Sequence, residues 1–301
     1  MNLIELEAIT KKYGENIGCF EINLAVKAGE VYGFIGPNGA GKTTVIRQMM
    51  GFIQPDNGQG KIFGLDIWKD SAKIMKDLGY VAGEVAIPEH MTGISYLKVL
   101  ANIRKNVDWN YTKKLINYFD LDATRKIKKM SKGMKQKVAL IAAFMHKPKV
   151  LIMDEPTSGL DPLMQEKFNK LVKTFEKEGT TIFISSHIFS EIENVCNRVA
   201  IIKKGKIISE ILIEEMKKDF NKVYQVKFAN ILDYQSFLKK KWNILKKDDV
   251  FNQIEVKIKD EDINDFLKAI SQFNVNNFKL IPFSLEKHFL KYYQDEINFE
   301  D

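Results

Sequence analysis

Gly36-Pro37-Asn38-Gly39-Ala40-Gly41-Lys42-Thr43-Thr44 is a glycine-rich turn set between two unlike segments. Before it, Val31, Tyr32, Phe34 and Ile35 form an apolar run that predicts a buried strand; after it, Val45-Ile46-Arg47-Gln48-Met49 predicts a helix. Such a turn lets consecutive backbone N–H groups point inward at one anion, and the positive end of the helix dipole adds to the attraction. Lys42 can then reach the β- and γ-phosphates of a nucleotide, while the Thr43 hydroxyl can hold Mg²⁺.

An ordinary glycine-rich turn could carry the same letters, so the P-loop reading needs a magnesium-binding acid at the end of another buried strand. Val150-Leu151-Ile152-Met153 is continuously apolar, as a parallel strand covered on both faces should be, and it ends in Asp154-Glu155. Carboxylates at the C-terminal end of such a strand stand where open α/β sheets build their sites. Asp154 can complete the Mg²⁺ shell through water, and Glu155 can polarise an attacking water as a general base. Together the two motifs predict a nucleotide-hydrolysing site.

Composition narrows the class. With 301 residues, 45% hydrophobic and 28% charged, the chain has room for one domain of about 200 residues and a smaller second one. No apolar run approaches the roughly 20 residues that cross a bilayer, and Met1-Asn2-Leu3-Ile4-Glu5 shows no secretory pattern. A membrane role must therefore come through a partner. Cys19 and Cys196 stand far apart among apolar neighbours, which predicts buried thiols in a reducing compartment. The net charge of +7 comes mainly from dispersed lysines rather than one clustered face, so no nucleic-acid partner is expected.

Strand-like alternation over Leu3–Ile9 and Phe20–Val26 precedes the phosphate loop, and short strands are expected near Lys61–Phe63 and Gly79–Val81. From about Pro88 to Pro148 the period turns helical, with Tyr96, Leu97, Leu100 and Ile103 on one stripe. Alternation then resumes: a strand to Asp154, a helix from Pro162 to about Lys177, a strand Thr180–Ser185, a helix Ile188–Val195 and a strand Arg198–Ile202. That order implies a parallel sheet with right-handed crossovers. A hairpin-like turn at Lys203–Lys206 and a short helix over Ile213–Lys218 close the first domain, 1–219. Residues 220–301 read as strand, helix, strand, helix, strand, helix, a small α+β domain without a catalytic constellation; His288 is isolated there.

Three further segments bear on the family. Ser131 in Met130-Ser131-Lys132-Gly133-Met134-Lys135-Gln136 is an N-cap for a strongly apolar helix, and Gly133 allows close backbone approach. This is either a second anion site or a plain capped helix. Asp161 before Pro162 is explained by capping. His187 follows a strand that ends beside the expected position of Asp154, where it can bond a γ-phosphate, position water, or simply begin a helix.

In order and spacing these segments resemble the ATP-binding-cassette (ABC) ATPases over about residues 1–215. The resemblance implies an α/β P-loop cassette with a parallel-sheet core, an antiparallel β subdomain and a helical subdomain at about 88–148. It makes Gly36–Thr44 the Walker A loop, Val150–Glu155 the Walker B strand, Ser131–Gln136 the signature, Ser158–Asp161 the D-loop and His187 the switch histidine. Tyr13 matches the aromatic that stacks on adenine. Two cassettes close head to tail in this family, so Ser131 and Gly133 of one chain would face the γ-phosphate held by Lys42 of another.

Two departures stand out. The usual signature Leu-Ser-Gly-Gly-Gln is Met130-Ser131-Lys132-Gly133-Met134 here, a variant that resembles the exporter-type branch. The expected Q-loop glutamine is missing: Ala82-Gly83-Glu84 occupies its place, and no Gln occurs between Gln59 and Gln136. The metal-side role is carried to Glu84. The ending Ser284-Leu285-Glu286-Lys287-His288-Phe289-Leu290 resembles cassette proteins of drug, peptide and lantibiotic exporters. The resemblance therefore implies an ATP- and Mg²⁺-dependent subunit, paired as a homodimer or with a different cassette, peripheral at the cytoplasmic face of the membrane, driving an exporter whose channel is a separate chain. The alternative is a soluble cassette ATPase acting on ribosomes or DNA, which the single cassette and the lack of sustained heptads disfavour.

Overall fold

The computed structural model describes residues 1–104, 107–215, 222–281 and 284–290. Two compact units emerge, one built on Met1–Ile213 and the other on Glu214–His288.

The first unit is organised by a six-stranded sheet in the order β10-β9-β3-β8-β7-β6. Its parallel strands are β3 (Val31–Ile35), β6 (Leu78–Val81), β7 (Val150–Asp154), β8 (Thr181–Ser186) and β9 (Arg198–Lys203). β10 (Lys206–Leu212) closes one edge antiparallel to β9. Every residue of β3, β7 and β8 is buried, which explains the apolar runs of β3, Val150–Met153 and Ile182–Ile184, while Asp154, Ser185 and Ser186 are buried polar ends. Register aligns the strand ends: Ile35 lies opposite Ser186, and Asp154 opposite Ser185. Because β8 sits between β3 and β7, the segments that leave these three strands emerge side by side.

A second sheet, β2-β1-β4-β5, is formed by β1 (Asn2–Gly14), β2 (Ile17–Lys27), β4 (Asn57–Ile62) and β5 (Leu65–Asp66), all antiparallel. Its inward Ile4, Leu6, Ile9, Ile22 and Leu24 share one core with Tyr32, Phe34 and Val45. The segment between β6 and β7 is helical, with α3 (Gly93–Arg104), α4 (Trp109–Tyr118) and α5 (Lys132–Phe144) following α1 (Lys42–Met49) and the single-turn α2 (Ser71–Ile74). Two further helices, α6 (Pro162–Lys177) and α7 (Phe189–Val195), flank β8 in sequence. α6 begins at Pro162, as expected from the Asp-Pro pair, with the Asp161 carboxylate accepting from Met164 N at 3.0 Å.

The second unit runs β11 (Lys222–Phe228), α8 (Ile231–Leu238), β12 (Asn243–Asp248), β13 (Gln253–Ile258), α9 (Ile263–Ile270) and β14 (Val275–Ile281). Its sheet order, β12-β13-β11-β14 with antiparallel neighbours, is that of a split β-α-β or ferredoxin-like unit. Phe228, Phe237, Val256 and Phe266 form its core. The expected alternation of strand and helix is thus corrected by a hairpin, β12–β13. β12 is an edge strand of sequence Asn-Ile-Leu-Lys-Lys-Asp, mostly exposed, so no apolar alternation announces it. α10 (Leu285–Leu290) follows; Pro282, Phe283 and the expected boundary at Asp219 lie outside the described residues.

Candidate nucleotide site

The phosphate loop leaves β3 at Gly36 and enters α1 at Lys42. Gly41 precedes α1 with φ 105°, and a Cβ there would stand 2.6 Å from the Gly18 carbonyl, so the turn needs glycine. No side chain caps α1, which leaves its first N–H groups for an external anion. Pro37, Asn38 and Gly39 are exposed, whereas Gly36 and Ala40 are buried. A cleft of about 250 Å³ over this loop is lined by Tyr13, Ile17, Asn38, Lys42, Thr43 and Glu155, among others. Tyr13 is 55% exposed, a ring free to take a planar ligand.

Lys42 is buried, its Nζ donating to the carbonyls of Gly36 at 2.8 Å and Pro37 at 3.2 Å. Glu155 Oε1 lies 3.5 Å from Nζ and 3.1 Å from His187 Nδ1. Burial pushes the Lys42 pKa below its ordinary value, against the opposing pull of Glu155 and Asp154. Asp154 is buried and doubly bonded: Thr43 Oγ1 donates to Oδ2 at 2.7 Å, and the Ser185 hydroxyl donates to Oδ1. Glu155 has φ 46°, the left-handed region that a β-carbon disfavours, while its N–H donates to the Ser185 carbonyl at 3.1 Å. That strained turn aims the carboxylate at the loop rather than onward along the strand.

Not every expected residue joins this cluster. Ser131 caps α5, accepting from Met134 N at 3.2 Å, and neither it nor Gly133 lines the cleft over the phosphate loop. Gly133 lies instead against the chain's own 158–161 loop; a Cβ on it would be 2.5 Å from the Gly159 carbonyl. Gln136 is buried and donates to Pro156 O at 2.7 Å, tying the same helix to the segment after β7. The loop after β6 passes over the acids, since a Cβ at Gly83 would stand 3.1 Å from Asp154 Oδ2. Glu84 itself lines a second cleft with Lys132, Lys135 and Gln136. Among the described residues no three His, Cys, Asp or Glu side chains group as a metal cage, so Glu84 does not form an acidic triad with Asp154 and Glu155.

Sequence reasoning missed the hydroxyls of Thr157, Ser185 and Ser186, and the Glu191 carboxylate that two of them bond. Polar residues closing an otherwise apolar strand were the available signal.

The chain matches the ABC transporter family model over residues 19–158. It is 36% identical over 231 residues to the bacitracin transport ATP-binding protein BcrA of Bacillus licheniformis, covering 76% of each chain. It is 34% identical to the linearmycin resistance ATP-binding protein LnrL of Bacillus subtilis, covering 69% of this chain and 68% of that one. The chain belongs to the ABC transporter ATP-binding proteins. It is an ATPase and the ATP-binding subunit of a transporter. A solved ATP-binding subunit of an ABC transporter superposes with a TM-score of 0.66 at 26% identity, over 72% of this chain and 93% of that one. The uncharacterised ABC transporter ATP-binding protein YhcH of Bacillus subtilis is 32% identical over 96% of this chain and 95% of its own length, thus spanning both units. No helix among the described residues is long and apolar enough to cross a membrane.

Proposed function

We propose that this cassette powers an exporter of drug- or peptide-class cargo by ATP-dependent pairing of two copies, working at the cytoplasmic face against a separate membrane subunit. The observation that carries the reading is the convergence of Lys42, Thr43, Asp154, Glu155 and His187 at the aligned ends of three parallel strands. The names of the bacitracin and linearmycin relatives support the cargo class.

One hydroxyl and one carboxylate in contact, with no acidic cage grouped there among the described residues, fit Mg²⁺, which keeps waters and takes its remaining ligands from substrate phosphates. Thr43 and Asp154 would hold it, where its charge would offset that of the phosphates. The Lys42 ammonium exchanges its two carbonyl partners for the β- and γ-phosphate oxygens, a stronger bond because the acceptor is now charged as well as the donor. That exchange draws Lys42 away from Glu155 and leaves the carboxylate, steadied by His187, to orient the attacking water. Tyr13 stacks on the base. Ser131 and Gly133, which stand apart from their own chain's phosphate loop, cover the γ-phosphate held by a second copy. ATP then bridges two chains, and its hydrolysis releases them, an equilibrium shifted by differential affinity.

Replacing Glu155 by Gln tests this. ATP turnover should fall by at least about a hundredfold, the scale of general-base catalysis, while an ATP-dependent dimer accumulates on size exclusion. Unimpaired turnover would remove Glu155 from its role, and a monomer in saturating ATP would remove the pairing.

A further inference from the structure

We infer that Glu191 is a positioning residue that sets Glu155 and His187 in register, acting through two hydroxyls rather than on the nucleotide. Glu191 stands in the first turn of α7, four residues beyond His187. One carboxylate oxygen accepts from Thr157 Oγ1 at 2.6 Å and the other from Ser186 Oγ at 2.8 Å. Thr157 follows Glu155 by two residues; Ser186 immediately precedes His187. Both hydroxyls are buried, with Thr157 4% and Ser186 2% exposed, so neither finds an easy substitute partner in water.

The connection reaches the backbone on each side. Ser186 Oγ accepts from Ile188 N at 2.9 Å, which fixes the direction of its own proton toward Glu191 and pins the peptide after His187. Ser158 N donates to Glu155 O at 3.1 Å, closing the turn in which Thr157 lies. Below this level the two segments are joined once more, by Glu155 N donating to Ser185 O. The ends of β7 and β8 are therefore joined through backbone and the Ser185 hydroxyl, and beyond them through Glu191, with the 3.1 Å contact between Glu155 and His187 as the result. A carboxylate serves here because it offers two acceptor oxygens in a fixed fork, one for each hydroxyl.

This rests on the roles proposed for Glu155 and His187, and the test separates the two claims. ATPase kinetics are measured on the full chain for Glu191→Ala, Glu191→Gln, His187→Ala and the double variant Glu191→Ala/His187→Ala, with ATP affinity titrated in parallel. Glu191→Ala should lower kcat roughly ten- to hundredfold, as loss of positioning does. KM and ATP affinity should stay within about twofold, because uniform binding is untouched. Glu191→Gln, which keeps one acceptor oxygen, should recover part of that loss. In the His187→Ala background the Glu191→Ala effect should largely vanish, the non-additivity of residues acting as one unit. Unchanged kcat, an equal change in affinity, or additive losses in the double variant would overturn the inference. Full activity of His187→Ala would instead overturn the role assigned to His187.

Discussion

Gly133 lacks a side chain because none fits: an added Cβ would stand 2.5 Å from the Gly159 carbonyl, a backbone atom that cannot swing aside. Gly133→Ala should therefore part α5 from the 158–161 loop and lower stability by about 1–3 kcal/mol, the usual cost of overpacking. Urea denaturation checks this, and an unchanged midpoint would contradict it. From the letters alone Gly133 is legible as a place of close approach, but not what approaches. Lys42, Thr43, Asp154 and Glu155 are legible because each belongs to a short stretch whose local context fixes its position. Glu191 is not, because its meaning lies in Thr157, 34 residues away, and only the fold brings them together. Glu84 shows the opposite limit. Sequence position puts it beside the acids, whereas the side chain lines a different cleft.

At the level of elements, buried parallel strands announce themselves by mainly apolar runs, and β3, β7, β8 and α6 fall within a residue of their expected bounds. Edge strands do not: β10 and β12 carry exposed or half-buried side chains and pair on one side only, so their sequences obey no strong period. The junction of α3 with the end of α5 is likewise unreadable in advance. There Arg104 Nη1 lies 2.7 Å from His146 Nε2, and burial, followed by the Arg104 charge, pushes the His146 pKa down to about 4. The folded chain thus resists a proton that the unfolded chain takes up near the ordinary value of 6.5. Between those values the unfolded state binds more protons, so stability is full above 6.5 and declines as pH falls toward 4. The loss should be on the order of 3 kcal/mol. Denaturation midpoints followed from pH 7 to 4 check it: His146→Gln should flatten the slope, and an identical slope in that variant would assign the loss elsewhere.

At the scale of the whole molecule, one strand order does most of the organising. Placing β8 between β3 and β7 gathers a phosphate loop with a pair of acids more than a hundred residues further along the chain, and with a histidine on the segment after the next strand. The second unit has its own core of aromatic rings and carries none of these residues. In the function proposed above, what the cassette does with ATP depends on one buried ammonium, Lys42, which donates here to the Gly36 and Pro37 carbonyls. The most direct measurement is ATP affinity and turnover of Lys42→Ala beside the unaltered chain. Loss of a charge-assisted phosphate contact should weaken ATP binding by about tenfold or more and abolish turnover. Affinity and turnover both equal to those of the unaltered chain would contradict the account.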